Sequence, residues 1–278
     1  MEFVYSAKNP QVPVAYATFD VMHTVLETVL TGVGESEARR LSEEVERLVR
    51  RLDGTLNRHD DGSLFAKINA SQGREVVALD EETFVVLQLC EVFRQSTGGY
   101  FDIAALSERR TIPAYRLDPA TRSVTLAGEG VVLDAGGFGK GYALDRVKKL
   151  LADAGVVNAL VNFGDSSVTA LGTHPFGDCW PVAATAGGAP FRLKGASLSF
   201  SGLRPDGQAH IVDPNSRRMV SEGGIIAVEG RSALVCEILS TALYAAPREA
   251  RQGIAAEFEG YRYTEIKQDT ESWTEENL

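Results

Sequence analysis

The stretch LDAGGFGKGYALDRV, Leu133 to Val147, places an acid, four glycines and a lysine at the mouth of an amphipathic helix. Free N–H groups in a first helical turn, with Lys140 adding a point charge, suit a phosphate. Backbone oxygens brought close by glycine, beside Asp134, suit a hard cation. The same residues also suit a plain strand-to-helix turn in which Gly137, Gly139 and Gly141 allow close packing and Lys140 is solvated. A short glycine-rich run by itself does not choose among these readings.

Working outward, SVTLAGEGVVLDAGG reads as a hairpin with Gly128 and Gly130 near its turn. The helix that follows, GYALDRVKKLLADAG, stops at Gly155. Upstream, SEARRLSEEVERLVRRLDGTLNR carries Ala38, Leu41, Val45, Leu48, Val49 and Leu52 at helical spacing, with Ser36 as the expected N-cap and an end near Gly54. The loop HDDGS comes next, and DEETFVVLQLCEVFRQSTGG is a second helix closed by Gly98 and Gly99. Downstream, VVNALVNFGDSSVTALG, CWPVAATA, GASLSFSG, AHIVDP and GGIIAVEG are short strand-like runs, most bounded by glycine. SALVCEILSTALYAA and PREARQGIAAEF are late helices, the second with Pro247 in its first turn. Helices and strands interleave without regular βαβ spacing, which predicts an α+β fold rather than a doubly wound sheet. Residues 1–265 are expected to form one domain, and 266–278, polar and acidic, a loosely ordered tail.

The 278 residues are 44% hydrophobic and 24% charged, ordinary for a globular protein with a sizeable core. A net charge of -10 argues against nucleic acid or an anionic membrane as partner by bulk attraction. It leaves room for an anionic ligand in a local pocket. Cys90, Cys179 and Cys236 are far apart without CxxC spacing, so neither a disulfide framework nor a zinc site is expected. The start carries no signal-peptide pattern or lipobox, and no apolar run is long enough to span a membrane. The expectation is a cytoplasmic protein without membrane insertion.

Three further stretches carry unusual polar residues. GGYFDI, Gly98 to Ile103, is a glycine helix stop followed by one Asp, a structural feature if taken alone. In SGLRPDGQAHIVDP, His210 falls on a short strand ended by proline, where a lone histidine is more often structural than catalytic. In CEILSTAL, Glu237 and Thr241 are four apart and stack on one helical face. A carboxylate and a hydroxyl one turn apart can both face Mg²⁺, yet an exposed Glu and a back-bonded Thr would explain the pair as well.

The order of these stretches resembles the ApbE family, the FAD:protein FMN transferases, over most of the chain. The family's D-L-G-G-I-x-K-G-Y-A-x-D is matched by DAGGFGKGYALD, and GG-x-F-D-I by GGYFDI. The early serine–asparagine segment is LNRHDDGSLFAKIN, with Ser63 and Asn69 in place. VNFGDS, Ser201-Gly202, HIVDP and EILSTA follow in family order. The resemblance implies a T-fold-like α+β architecture of mixed and antiparallel sheets packed with helices. It implies an enzyme that cleaves FAD and transfers FMN to a Thr or Ser of an acceptor protein carrying a flavinylation motif, or that hydrolyses FAD as a pyrophosphatase. It also implies Mg²⁺ or Ca²⁺ held by the Gly137 carbonyl, Glu237 and Thr241. His59, Tyr100, Phe101, Asp102, Asp134, Lys140 and Ile211 would line the FAD site, and His210 would be the base that deprotonates the acceptor hydroxyl.

This chain departs from the family pattern at several points. Glu237 stands where Asp is usual, Asp165 replaces a glycine, and His59 replaces a tyrosine. The tyrosine after Ser201-Gly202 is missing, the link to His210 is short, and DP-x-T-G reads DPNSRR. The alternative is therefore a non-catalytic flavin-nucleotide-binding protein on the same scaffold, or, further off, a protein-interaction module.

Overall fold

Period-two alternation builds the platform of the molecule. In the strand Asn158–Phe163, Ala159, Val161 and Phe163 are fully buried on one face, while Leu160 packs on the other. The computed structural model describes residues 1–109, 111–184, 189–203, 207–221 and 223–267. In chain order its elements are β1 (Glu2–Ser6), β2 (Val14–Val21), β3 (Thr24–Thr31), α1 (Glu35–Leu56), α2 (Leu64–Ser71), β4 (Val77–Ala78) and α3 (Glu81–Ser96). Then come β5 (Tyr115–Asp118), β6 (Ser123–Leu126), α4 (Gly139–Asp153), β7 (Asn158–Phe163), β8 (Ser167–Leu171), β9 (Trp180–Val182) and β10 (Phe191–Leu193). The last are β11 (Ser197–Gly202), β12 (Val212–Asp213), β13 (Arg218–Met219), β14 (Ile225–Gly230), α5 (Ala233–Ala245), α6 (Arg248–Ala256) and β15 (Arg262–Ile266).

An eight-stranded sheet runs β1-β2-β3-β7-β8-β11-β14-β15, and each neighbouring pair in it is antiparallel. The α+β reading holds. Helices α1 and α4 bury Leu41, Val45, Leu144 and Val147 against β2, β3 and β7 on one face. On the other face the β9–β10 hairpin lays Trp180 and Leu193 over Val168, Leu198 and Ala227. A third core joins α2, α3 and the β4-β6-β5 sheet to Ile238 and Ala242 of α5. Helix α5 also packs Cys236, Leu239 and Leu243 against β14 and α6. It is apolar nearly all round because it lies between two cores, as a buried helix should be. Burial pushes the Cys90 and Cys236 thiols well above the ordinary value, so both act as small core side chains.

Several expectations need correction. Helix α1 is preceded by Gly34 with no side-chain cap, so Ser36 lies inside it, and it runs through Gly54 to buried Leu56. Burying Leu52 and Leu56 on one stripe keeps the last turn helical despite the glycine. The hairpin is β5–β6, not a pair across Gly128 and Gly130. Residues 131–135 form no ladder; their N–H groups go to scattered partners, Val132 to Ser107 Oγ, Leu133 to Asn69 and Asp134 to the Ile103 carbonyl. The Asn69 amide donates to the Leu133 carbonyl and accepts from its N–H, at 2.9 and 2.8 Å. Helix α2, capped by Ser63 Oγ, and strand β15 were not anticipated. His210 precedes β12 rather than lying on it, and Pro247 is the N-cap of α6. Most of the acidic tail, residues 268–278, lies outside the described residues.

Helices α4 and α5 meet at their N-termini, where each has orphan N–H groups. Each supplies the other's cap. Asp145 of α4 accepts from the Ser232 hydroxyl and from the N–H groups of Ala233 and Leu234, at 2.7 and 3.2 Å for the last two. Glu237 of α5 accepts from the Gly141 N–H at 2.6 Å. The helices can come this close only because residue 141 is glycine: a Cβ there would sit 2.4 Å from the Ala233 carbonyl oxygen. Gly141→Ala should therefore cost on the order of 1–3 kcal/mol, measured by denaturant unfolding. Gly54→Ala, in a helix interior with nothing within 4 Å of the added methyl, should instead stabilise by about 0.5–1 kcal/mol. Equal effects of one sign would contradict this packing.

Candidate active-site cleft

The edge of the α4–α5 junction opens into a cavity of about 560 Å³, within the usual size of a ligand site. Five of the separated stretches that line it carry the candidate residues. His59 comes from the turn before α2; Tyr100, Phe101 and Asp102 come from the segment after α3. Asp134 and Gly137 lead into α4 and Lys140 is in its first turn; His210 and Ile211 precede β12; Glu237 and Thr241 project from α5. All eleven candidate residues line this one cleft. They are not equivalent. His59 and His210 are exposed at its mouth, whereas Phe101 and Ile211 are buried wall. The Phe101 ring packs beside Gly137, 3.5 Å from where a Cβ would be, an ordinary van der Waals contact.

Its charges are held in pairs. Glu237, 3% exposed, accepts from Lys140 Nζ on Oε1 at 2.6 Å and from the Gly141 N–H on Oε2 at 2.6 Å. Arg58 Nε donates to Asp134 Oδ2, and Asp134 Oδ1 accepts from the Gly136 N–H at 2.8 Å. Thr241 Oγ1 lies 3.5 Å from Ser201 Oγ, at the end of a buried hydroxyl cluster. In that cluster Ser240 Oγ is 2.9 Å from Ser201 Oγ and 3.2 Å from Ser199 Oγ. Small hydroxyls at the contact allow α5 to seat closely on β11 while satisfying one another. Among the described residues no group of three or more His, Cys, Asp or Glu side chains comes together in a metal-holding arrangement.

Sequence reasoning missed Arg58, Asp165, Phe200 and Ser201 as cleft residues. Arg58 gave no local signal, since its partner is 76 positions away. Asp165 had one: it replaces a glycine of the family pattern. It adopts φ 55°, a left-handed conformation that Asp tolerates better than most residues. Its Oδ1 accepts from the Asn162 amide at 2.9 Å, so the replacement keeps the turn and adds a carboxylate to the cleft.

The model of the ApbE family matches residues 21–263, and the chain belongs to that family. Among curated proteins it is similar to the FAD:protein FMN transferase of Klebsiella pneumoniae (strain 342), at 28% identity over 65% of this chain and 67% of the relative. It is also 28% identical to the FAD:protein FMN transferase of Treponema pallidum (strain Nichols), over 54% of this chain and 49% of that protein. The match thus spans about half the length of the Treponema relative. Among solved structures, the ApbE protein of Thermotoga maritima aligns with TM-score 0.78 at 21% identity, covering 92% of this chain and 97% of that one. The apo flavinyl transferase ApbE of Pseudomonas stutzeri aligns with TM-score 0.78 at 20% identity, covering 96% and 97%. These likenesses establish the α+β fold.

The turn at residue 165 gives a direct check on this geometry. Asp165→Gly should leave stability nearly unchanged, while Asp165→Val should lose on the order of 1–2 kcal/mol, because a β-branched side chain resists positive φ. Indistinguishable unfolding midpoints for the two variants would contradict the left-handed turn.

Proposed function

We propose that this chain is an FAD:protein FMN transferase. The observation carrying the proposal is the convergence of five sequence stretches, spread from His59 to Thr241, on one cleft of nucleotide size. Family membership supports it, since curated relatives carry that activity in their names. In this reading Tyr100, Phe101 and Asp102 face the nucleotide from one side and Asp134 and Lys140 from the other, with His59 and Ile211 completing the wall. The acceptor's Thr or Ser oxygen attacks the FMN phosphorus, the bond to the AMP oxygen breaks, and AMP leaves. His210 takes the hydroxyl proton. Its exposed place at the mouth suits contact with a second protein, and a neutral imidazole near pH 7 suits proton transfer.

The divalent ion implied by the family does not fit the donor set as it stands. Of Gly137, Glu237 and Thr241 only Glu237 is anionic, and both its oxygens already accept from donors, one of them an ammonium. Gly137, Glu237 and Thr241 serve as cleft wall. The engaged Glu237 is also what favours the second reading, a flavin-nucleotide-binding protein without catalysis.

Incubation with FAD and a Thr-containing acceptor peptide separates the two. Transfer yields AMP and FMN-modified peptide in equal amounts; binding alone yields neither. His210→Ala should retain FAD affinity within about twofold and lose transfer by roughly a hundredfold or more, since a base acts on the transition state and not on nucleotide binding. Undiminished transfer in His210→Ala would remove the base from this mechanism.

A further inference from the structure

We infer that the Lys140 ammonium, anchored by Glu237, takes the place of a divalent ion as the positive charge facing the diphosphate of FAD, so that this chain binds the nucleotide without metal. The inference rests on the cleft being an FAD site, and it departs from what the family pattern implies. Four features lead to it. First, the Glu237 carboxylate is buried and bridges two donors, Lys140 Nζ on one oxygen and the Gly141 N–H on the other, each at 2.6 Å. A metal ion on either oxygen would have to use the lone pair left over beside an existing donor, and it would then sit next to the ammonium's own charge.

Second, the bridge depends on the residue that departs from the family. Glu is longer than Asp by one C–C bond, about 1.5 Å. That extra length spans the gap from α5 to the first turn of α4, which Gly141 brings close by lacking a Cβ. An Asp at 237 would fall short of the α4 donors and leave its oxygens free. Third, the other two candidate ligands, the Gly137 carbonyl and the Thr241 hydroxyl, are neutral, so Glu237, already bonded to an ammonium, is the one carboxylate of the three that an Mg²⁺ shared with the diphosphate could use. Fourth, Lys140 is free to serve two partners. Its side chain is 24% exposed and lines the cleft, and an ammonium has three donors, of which Glu237 takes one. Among the described lining residues the other Lys or Arg is Arg58, whose Nε pairs with Asp134.

The test is an FAD titration of the whole chain by flavin fluorescence, run once in EDTA and once in millimolar Mg²⁺. Wild type, Lys140→Met and Glu237→Asp are compared, with thermal unfolding confirming that each is folded. Wild-type affinity should agree within about twofold between the two buffers, and Lys140→Met should weaken it by about tenfold or more in both. Glu237→Asp, with its carboxylate released, should make FAD binding respond to Mg²⁺. Wild-type affinity raised about tenfold or more by Mg²⁺ would overturn the inference while leaving the FAD site standing. Unchanged affinity in Lys140→Met would also overturn it. Absence of FAD binding by folded wild type in both buffers would overturn the FAD site itself, and this inference with it. If Glu237→Asp does not fold, the wild-type and Lys140→Met titrations still decide.

Discussion

Two carboxylates crossing between helices α4 and α5 hold the centre of this molecule. Asp145 of α4 closes the N-terminus of α5, and Glu237 of α5 closes the N-terminus of α4. Each satisfies N–H groups that no turn of its partner helix can reach, and each sets an anion against the positive end of a helix dipole. The exchange locks two helix starts together at a fixed angle. Because three hydrophobic clusters meet along α4 and α5, fixing these helices also fixes the large sheet relative to the α2–α3 layer.

The cleft is a consequence of that junction. Where the helix starts approach, backbone is exposed at Gly136 and Gly137, and the polar side of α5 cannot be filled by large apolar groups. Lys140, Thr241 and Ser201 line the space instead, with Ser199 and Ser240 buried behind Ser201. Loops from the α2–α3 layer then close it from one side with Tyr100, Phe101 and Asp102. The segment leading to β12 closes it from the other with His210 and Ile211. Stability and function therefore share residues here. Glu237 is at once a helix cap and the anchor of the cleft's lysine.

Much of this was legible in the sequence, and the reasons for the failures are physical. Helix α1 announced itself by apolar spacing and α4 by its amphipathic pattern, and glycines at positive φ, Gly98 and Gly99 after α3 and Gly155 after α4, stopped the chain where expected. Helix α2 has eight residues, too few to display a period, and is set by Ser63 and by the hold of Asn69 on Leu133. Residues 131–135 read as a strand because they are largely apolar, but their partners are Asn69, Ser107 and the Ile103 carbonyl, which periodicity cannot reveal. Strand β11, SLSFSG, alternates as a half-exposed strand would, yet Ser197, Ser199 and Ser201 are buried beneath α5. Alternation of this kind marks two faces but cannot tell that both are covered. The candidate site emerged from family order, which brought distant stretches into one reading; Arg58 escaped because its meaning exists only through space.

A crystal structure grown with FAD and Mg²⁺ together tests the central claim, that the α4–α5 carboxylate bridge shapes a nucleotide site around Lys140. The account predicts FAD in the cleft, the Glu237–Gly141 and Glu237–Lys140 contacts intact, and diphosphate oxygens within hydrogen-bond distance of Lys140 Nζ. A divalent ion coordinated by Glu237 and Thr241, with Lys140 swung away, would contradict it.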